Sequence, residues 1–453
     1  MLKGLTRPDV PVALLIVTCF LGGFINLAHV GAFYPATIAV DALWLWCCLS
    51  FIVMSVTQRG HVPIPPWAAA LVLAALVYGI LAVVSPEPIG SSLLAWRSHI
   101  GYALIALYVA NRVQRRELLA RLAMALAVGL AAFGIVQTHL TSRLPPQLLA
   151  SADTEVFGYF GTDISRANGL IGNTIVFGTV LGMFLALHAA RWLIRPTTPR
   201  LIGLIVLVAA VAATYSRAAM ISGVIAVIGG ICLISWRRNA GSFIAGLIVG
   251  LPILGIALWS TWPWVSSVGS VQFITNELFA GSNATVKVSN ATHARNIELG
   301  QEAFQDSPLI GVGINSHTFG SVYGQTHPVI TDGALWARLA DGGLLLIVSY
   351  GLVLGAAGLA LFRRWREDRQ DWLPIGLLVF MAYQVTLGMF VNSAIFGKVP
   401  FVLFWVMFGL ATASGGGQGR SDLPVAGQAR EDAQQSDAHG QKEHRHHERP
   451  RKL

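Results

Sequence analysis

Residues Pro66–Val84 read PWAAALVLAALVYGILAVV, a run without a charged side chain, bounded by Arg59 before it and Glu87 after it. As an α-helix rising about 1.5 Å per residue it spans about 28 Å, close to the ~30 Å hydrocarbon thickness of a bilayer. Similar runs recur along the chain to about residue 413. Read outward from this one, they predict about twelve membrane-spanning helices, at approximately 11–31, 36–57, 66–84, 92–110, 118–139, 169–190, 201–215, 218–235, 242–260, 334–361, 372–391 and 397–413. The runs are continuous rather than alternating and too long for barrel strands. The expected class is therefore all-α, a polytopic membrane protein. Composition agrees: 54% of the 453 residues are hydrophobic and 12% charged, against roughly a quarter charged in soluble domains.

The net charge of +9 invites a nucleic-acid reading, but the basic residues fall in short loops between apolar runs. Alternate loops hold Lys3 and Arg7; Arg59; Arg112, Arg115 and Arg116; Arg191, Arg195 and Arg200; Arg237 and Arg238; and Arg363, Arg364, Arg366 and Arg369. All fall on one side of a twelve-helix chain, and the positive-inside rule makes that side, with both termini, cytoplasmic. No small-residue cleavage pattern follows Met1–Arg7 at the right place, so the first helix is read as uncleaved. Cys19, Cys47, Cys48 and Cys232 lie inside apolar runs without CxxC spacing, which supports neither a zinc site nor a disulfide framework.

Residues 1–413 are thus expected to form one membrane body. From Ser414 the composition shifts to Gly, Gln, Ser, Asp, Arg and His, and 414–453 reads as a disordered cytoplasmic tail. His444, Arg445, His446 and His447 could chelate a metal or be part of a solvated basic tail; the second reading is preferred, and no metal or cofactor is expected. Two long loops, about 140–168 and 261–333, lie on the opposite face, the second between helices 9 and 10. Its Asn283-Ala-Thr285 and Asn290-Ala-Thr292 match the glycosylation sequon, a triplet that often arises by chance. Long loops in a chain of short connections are where function is sought.

An ionisable residue within a membrane helix costs about 2.5–3.5 kcal/mol on insertion scales, so each asks for a partner or a purpose. The candidates are Asp41 in the second helix, Arg97 and His99 in the fourth, Arg217 between the seventh and eighth, and Arg338 early in the tenth. All but Asp41 cluster toward the outer face; Asp41 reads as a helix-packing partner, and snorkelling to headgroups is the alternative for Arg97 and Arg217. The large loop adds Lys287, His293, Arg295, His317, His327 and Asp332. A short amphipathic helix is expected from Arg295 to about Asp306, ended by Pro308-Leu-Ile-Gly-Val-Gly313. Guanidinium groups clamp phosphate oxygens, and a His with an ordinary pKa of ~6.5 can take a hydroxyl proton. Together they suit glycosyl or phosphoryl transfer from a diphosphate donor, or else form a solvated loop with incidental histidines.

Three patches resemble the bacterial O-antigen ligase and polysaccharide polymerase superfamily. Arg166-Ala-Asn-Gly-Leu-Ile-Gly-Asn173 is similar to its R-x-x-G-x-x-x-N segment. Ala213-Thr-Tyr-Ser-Arg-Ala-Ala219 is similar to its T-x-S-R-x-x segment. Pro308–Gly313, with Asp332-Gly-Ala-Leu-Trp-Ala-Arg-Leu-Ala-Asp-Gly-Gly343, resembles the segment in which a polar pair precedes a helix ending in a Gly-rich step. The resemblance covers roughly 165–410. It implies a metal-independent glycosyltransferase at the periplasmic face of the inner membrane, using an undecaprenyl-diphosphate-linked glycan as donor and a glycan or lipid A core as acceptor. The bilayer and other polysaccharide-assembly proteins are the implied surroundings. It further implies that Arg217, Arg295, Arg166 and Arg338 hold the diphosphate and that His327 or Asp332 acts as base, with Arg97 and His317 as secondary candidates. Thr331-Asp332 stands where ligases carry His-Asn, which favours a polymerase, whereas Arg295-x-x-x-Leu299 matches the ligase arginine motif. A transporter or flippase is the competing class; the long outer loop and the expected lack of paired charges at mid-membrane count against it.

Overall fold

The computed structural model describes residues 7–26, 35–57, 65–139, 167–171, 174–214, 216, 229, 284–317, 329, 331, 333–388 and 398–413. Every regular element among them is helical: α1 Val10–Asn26, α2 Pro35–Thr57, α3 Pro66–Val84, α4 Ile89–His99, α5 Ile105–Arg112, α6 Arg116–His139, α7 Thr174–Ile194, α8 Thr198–Ala213, α9 Ala284–Asp306, α10 Ala334–Glu367, α11 Trp372–Gly388 and α12 Lys398–Thr412. Helices α2, α3, α6, α7 and α10 are each long and apolar enough to cross a bilayer, and bent α4–α5 makes a sixth if counted as one span. The described residues are thus all-helical, with apolar helices of membrane-spanning length. The expected span at 218–235, except for Gly229, the span at 242–260 and the tail 414–453 lie outside the described residues. The chain divides into units 1–412 and 413–453, and only Ala413 of the second is described.

Local chemistry sets the helix starts. Pro35 and Pro66 open α2 and α3, and Pro199 lies in the first turn of α8, where a missing N–H costs no hydrogen bond and a fixed φ favours the helix. Helix α12 is apolar all round and forms the centre: Pro400 through Ala411 are all buried. A helix of that kind belongs inside a bundle. Around it stack Trp67 and Phe408, Phe404 and Trp405, and Phe380 and Phe404, with ring centroids 5.0, 5.2 and 6.0 Å apart. At the periphery α2 leaves Ile52, Val53 and Val56 exposed, a surface suited to lipid rather than water.

Four of the basic segments, those that fall among the described residues, gather at one end of the bundle. Asp9 Oδ1 accepts the Gln114 N–H at 2.9 Å, Arg116 pairs with Asp371 at 3.0 Å, and the Arg191 guanidinium lies 5.4 Å from the Trp372 ring centre. These contacts tie together the start of α1, the α5–α6 turn, the end of α7 and the α10–α11 turn. Burial pushes the Asp371 carboxyl above its usual range, and Arg116 opposes that rise.

Two spans differ from the continuous helices expected. The fourth breaks at Ile100 (φ −139, ψ −37) and a 3-10 turn at Gly101–Leu104, bending α4 against α5 by 42°. The carbonyl of Gly101 accepts the Trp44 indole N–H at 3.0 Å. The tenth span runs to Glu367 and breaks at Gly343 (φ 61, ψ −158), at the Gly-rich step marked in the sequence. In an unbroken helix the N–H groups of Leu344 and Leu345 would donate to the carbonyls of Ala340 and Asp341. Instead they donate to Pro308 and Leu309 at 2.9 and 3.1 Å. The freed carbonyls accept from Val312 and Gly313 at 2.8 and 3.3 Å. Segment 308–313 has inserted into the ladder of α10, and all four displaced backbone groups find partners. In hydrocarbon each left unmade would cost several kcal/mol. The preceding helix, expected from Arg295, begins at Ala284 and ends as expected before Pro308.

A methyl group at Gly343 would stand 2.5 Å from the carbonyl of Leu309, in a φ/ψ region open only to glycine. Gly343→Ala should lower stability by about 2 kcal/mol or more, read as a reduced melting temperature in detergent. Gly351→Ala, at an open helical position of α10, should be neutral or stabilising.

Candidate functional site

The insertion into α10 builds a buried polar cluster at the end opposite the basic loops. Arg338 and Asp341 share one face of the first half of α10 by their i, i+3 spacing, and are 3% and 0% exposed. Arg338 Nη1 donates to His99 Nδ1 at 2.6 Å and to the Tyr78 hydroxyl at 3.3 Å, while that hydroxyl lies 2.6 Å from the same His99 nitrogen. A guanidinium can only donate, so Nδ1 of His99 is an acceptor and the ring proton is assigned to Nε2. Tyr350, from the second half of α10, donates to the His99 carbonyl at 3.0 Å. The cluster thus joins both halves of α10 to α3 and to the broken end of α4.

Beside it, Asp341 organises residues 313–317. Its Oδ1 accepts the backbone N–H of His317 at 2.8 Å and the Ser316 hydroxyl at 3.2 Å; Oδ2 is buried without a hydrogen bond among the described residues. Ser316 Oγ lies 2.9 Å from His317 Nδ1. The hydroxyl also reaches the Gly313 carbonyl at 2.7 Å; with its one proton directed to these oxygens, the imidazole N–H at Nδ1 donates to Ser316, leaving Nε2 as proton acceptor. Burial holds His317 below the ordinary histidine pKa, in the neutral form this role needs. Asn315, at φ 75, donates from Nδ2 to Ser91 Oγ at 2.5 Å and ties the turn to α4. Thr331 N donates to the His317 carbonyl at 3.2 Å, which brings the start of α10 back to this turn.

The sequence candidates separate on this frame. Arg338 and His99 come together; His317 is held by Asp341, one turn along α10 from Arg338. Arg295 is exposed on α9 and pairs with Glu298 and Glu302 of its own helix, both at 3.1 Å; those bonds raise its pKa. Arg97 pairs with Asp41 at 2.8 Å, and Lys398 reaches the same carboxylate at 2.9 Å. A cation that the sequence reading did not single out, Lys398 at the start of α12, thus meets Asp41 only through folding. Arg166, Arg217, His327 and Asp332 lie outside the described residues. Their chain neighbours do show that the first two resemblance patches touch: Ala167 N donates to the Ala213 carbonyl at 3.0 Å. The side chain of Gln137 accepts the N–H groups of Asn168 and Gly169 at 3.1 and 2.9 Å.

Tyr78, Asp341, Ser316 and Asn315 were not singled out in the sequence. Asp341 carried the one available signal, a carboxylate in an apolar run three residues after Arg338.

No model of a known protein family matches the chain, and no curated protein matches it.

The depressed pKa of His317 has a defined acid consequence. Above the unfolded value of about 6.5 the ring is neutral in both states; as pH falls below it the unfolded chain takes up a proton that the buried ring refuses, so stability drops until the lower folded value is reached. The protein in detergent should therefore lose melting temperature as pH falls below about 6.5, and His317→Asn should lose less over the same interval. Equal losses would remove His317 as the source.

Proposed function

We propose that the chain is a multi-pass glycosyltransferase of the bacterial inner membrane, with about twelve spans, both termini cytoplasmic and its site facing the periplasm. Its donor is an undecaprenyl-diphosphate-linked glycan, and its reaction is the joining of exopolysaccharide or O-antigen repeat units. The observation that supports this reading is the start of α10, which carries a buried guanidinium, Arg338, and one turn on a buried carboxylate, Asp341, that fixes the turn bearing His317.

In this reading an acceptor hydroxyl attacks the anomeric carbon of the donor, and Nε2 of His317 receives its proton; His327 and Asp332 are the other proton acceptors in the same loop. The bond from the anomeric carbon to the diphosphate oxygen breaks, and undecaprenyl diphosphate leaves. Negative charge grows on that leaving group, so Arg338, with Arg217 and Arg166, acts on the transition state more than on the ground state. Arg295, exposed and paired along α9, is given a weaker part at the rim. Transfer to lipid A core instead of another glycan is the alternative acceptor, favoured by the arginine motif at Arg295.

A transport reading is favoured by different observations, the two broken spans and the charges at Asp41, Arg97 and Lys398. The two classes separate in a deletion strain: a polymerase defect leaves lipid-linked single units accessible from the periplasm, whereas a flippase defect traps them in the cytoplasmic leaflet.

Loss of one charge-stabilising contact costs about 2–4 kcal/mol in the transition state, or roughly 30- to 10³-fold in rate. Arg338→Gln and Arg217→Ala should each abolish glycan product on gels while immunoblots still find the protein in the membrane. Normal product from either inserted variant would remove that arginine from the mechanism.

A further inference from the structure

The charges at Asp41 stand apart from the cluster of Arg338 and do not balance. Arg97 binds Oδ2 of Asp41, while Oδ1 takes both Lys398, at 2.9 Å, and the Tyr102 hydroxyl. Lys398 also donates to the Thr37 carbonyl at 2.7 Å, and both cations lie over the Tyr102 ring, 5.7 and 5.5 Å from its centre. Among the described residues two cations thus share one carboxylate, leaving a surplus of one positive charge. The side chains of Arg97, Asp41 and Lys398 are 27%, 25% and 21% exposed, and Nε of Arg97 is buried without a hydrogen bond among the described residues.

The surroundings identify what this surplus faces. Ile38 and Leu45, three residues before and four after Asp41, are 47% and 49% exposed; Leu93 and Leu94, four and three before Arg97, are 48% and 46% exposed. By helical spacing they share the faces of Asp41 and Arg97. The charges therefore emerge within the apolar, outward stripes of α2 and α4, where the neighbour is lipid. Charged groups in membrane helices ordinarily turn toward the bundle interior. Asp41 lies six residues into α2, about 9 Å along its axis, and Lys398 opens α12. This is the depth of the headgroup and acyl-chain boundary, and basic pockets between membrane helices hold lipid headgroups.

We propose that Arg97 and Lys398, held apart by Asp41 between α2, α4 and α12, form a site for the phosphate of a lipid headgroup in the leaflet at that end of the bundle. The site stands independently of the glycosyl-transfer reading. The guanidinium and ammonium supply charge-assisted hydrogen bonds to phosphate oxygens, and Asp41 orients both cations while neutralising only one.

The test uses the full-length protein in detergent and native mass spectrometry with phosphatidylglycerol, undecaprenyl phosphate and, as a control without phosphate, diacylglycerol. Lys398→Gln removes the surplus charge but keeps the Arg97–Asp41 pair, and should reduce phosphate-lipid adducts about tenfold. Asp41→Asn doubles the surplus and should leave them equal or increased. Diacylglycerol adducts should not change, and the phosphate lipid that responds identifies the source of the headgroup. Parallel losses in both variants would report structural damage and overturn the site. So would unchanged adducts in Lys398→Gln, an equal change for diacylglycerol, or no phosphate-lipid adduct on the unaltered protein.

Discussion

The insertion of residues 308–313 into the broken ladder of α10 is the interaction on which the rest of this end of the molecule depends. A helix in hydrocarbon can open only if each freed backbone group is given a partner, and here four intersegment hydrogen bonds supply them. The approach is backbone against backbone: at Gly311 (φ 69) an added methyl group would strike the carbonyl carbon of Asp341 at 2.5 Å. A shift of this segment would leave four polar groups in an apolar layer at once, so it is held far more firmly than an ordinary loop.

Because 308–313 is fixed, the turn that follows is fixed as well. It brings Ser316 and His317 onto Asp341, one turn of helix beyond Arg338, and Asn315 onto Ser91 of α4. The break in α4 at Ile100 does complementary work. Arg97 and His99 lie two residues apart and therefore point to different sides: Arg97 meets Asp41 and Lys398 at the lipid-facing surface, while His99 meets Tyr78 and Arg338 in the interior. One interrupted helix separates a peripheral charge cluster from an internal one, each with its own surroundings.

The opposite end is built differently. There the charges lie in turns, as in the pair Arg116–Asp371, where water is near and burial is partial. A buried apolar helix, α12, runs between the two ends, with Lys398 at one of them. Charges are thus admitted at the rims and kept out of the middle, the arrangement that the cost of transferring an ion into hydrocarbon requires.

Long uncharged runs settle the helical membrane class by themselves, because only a helix satisfies its own backbone over that length. The spacing of basic loops is equally legible: the contacts of Asp9, Arg116 and Arg191 bring their loops to a common end. The double glycine at 342 and 343 marked a step in the tenth span, and Arg338, His99 and His317 stood out as polar residues in or beside apolar sequence. What the sequence could not disclose is pairing across distance. Nothing local joins Lys398 to Asp41, 357 positions away, or Asn315 to Ser91, or commits Asp341 to the turn at His317. Nor does composition reveal that a loop enters a helix, since its hydrogen bonds are made by backbone groups that every residue shares. Those choices belong to the tertiary structure, because they depend on which polar groups meet once the apolar faces have packed.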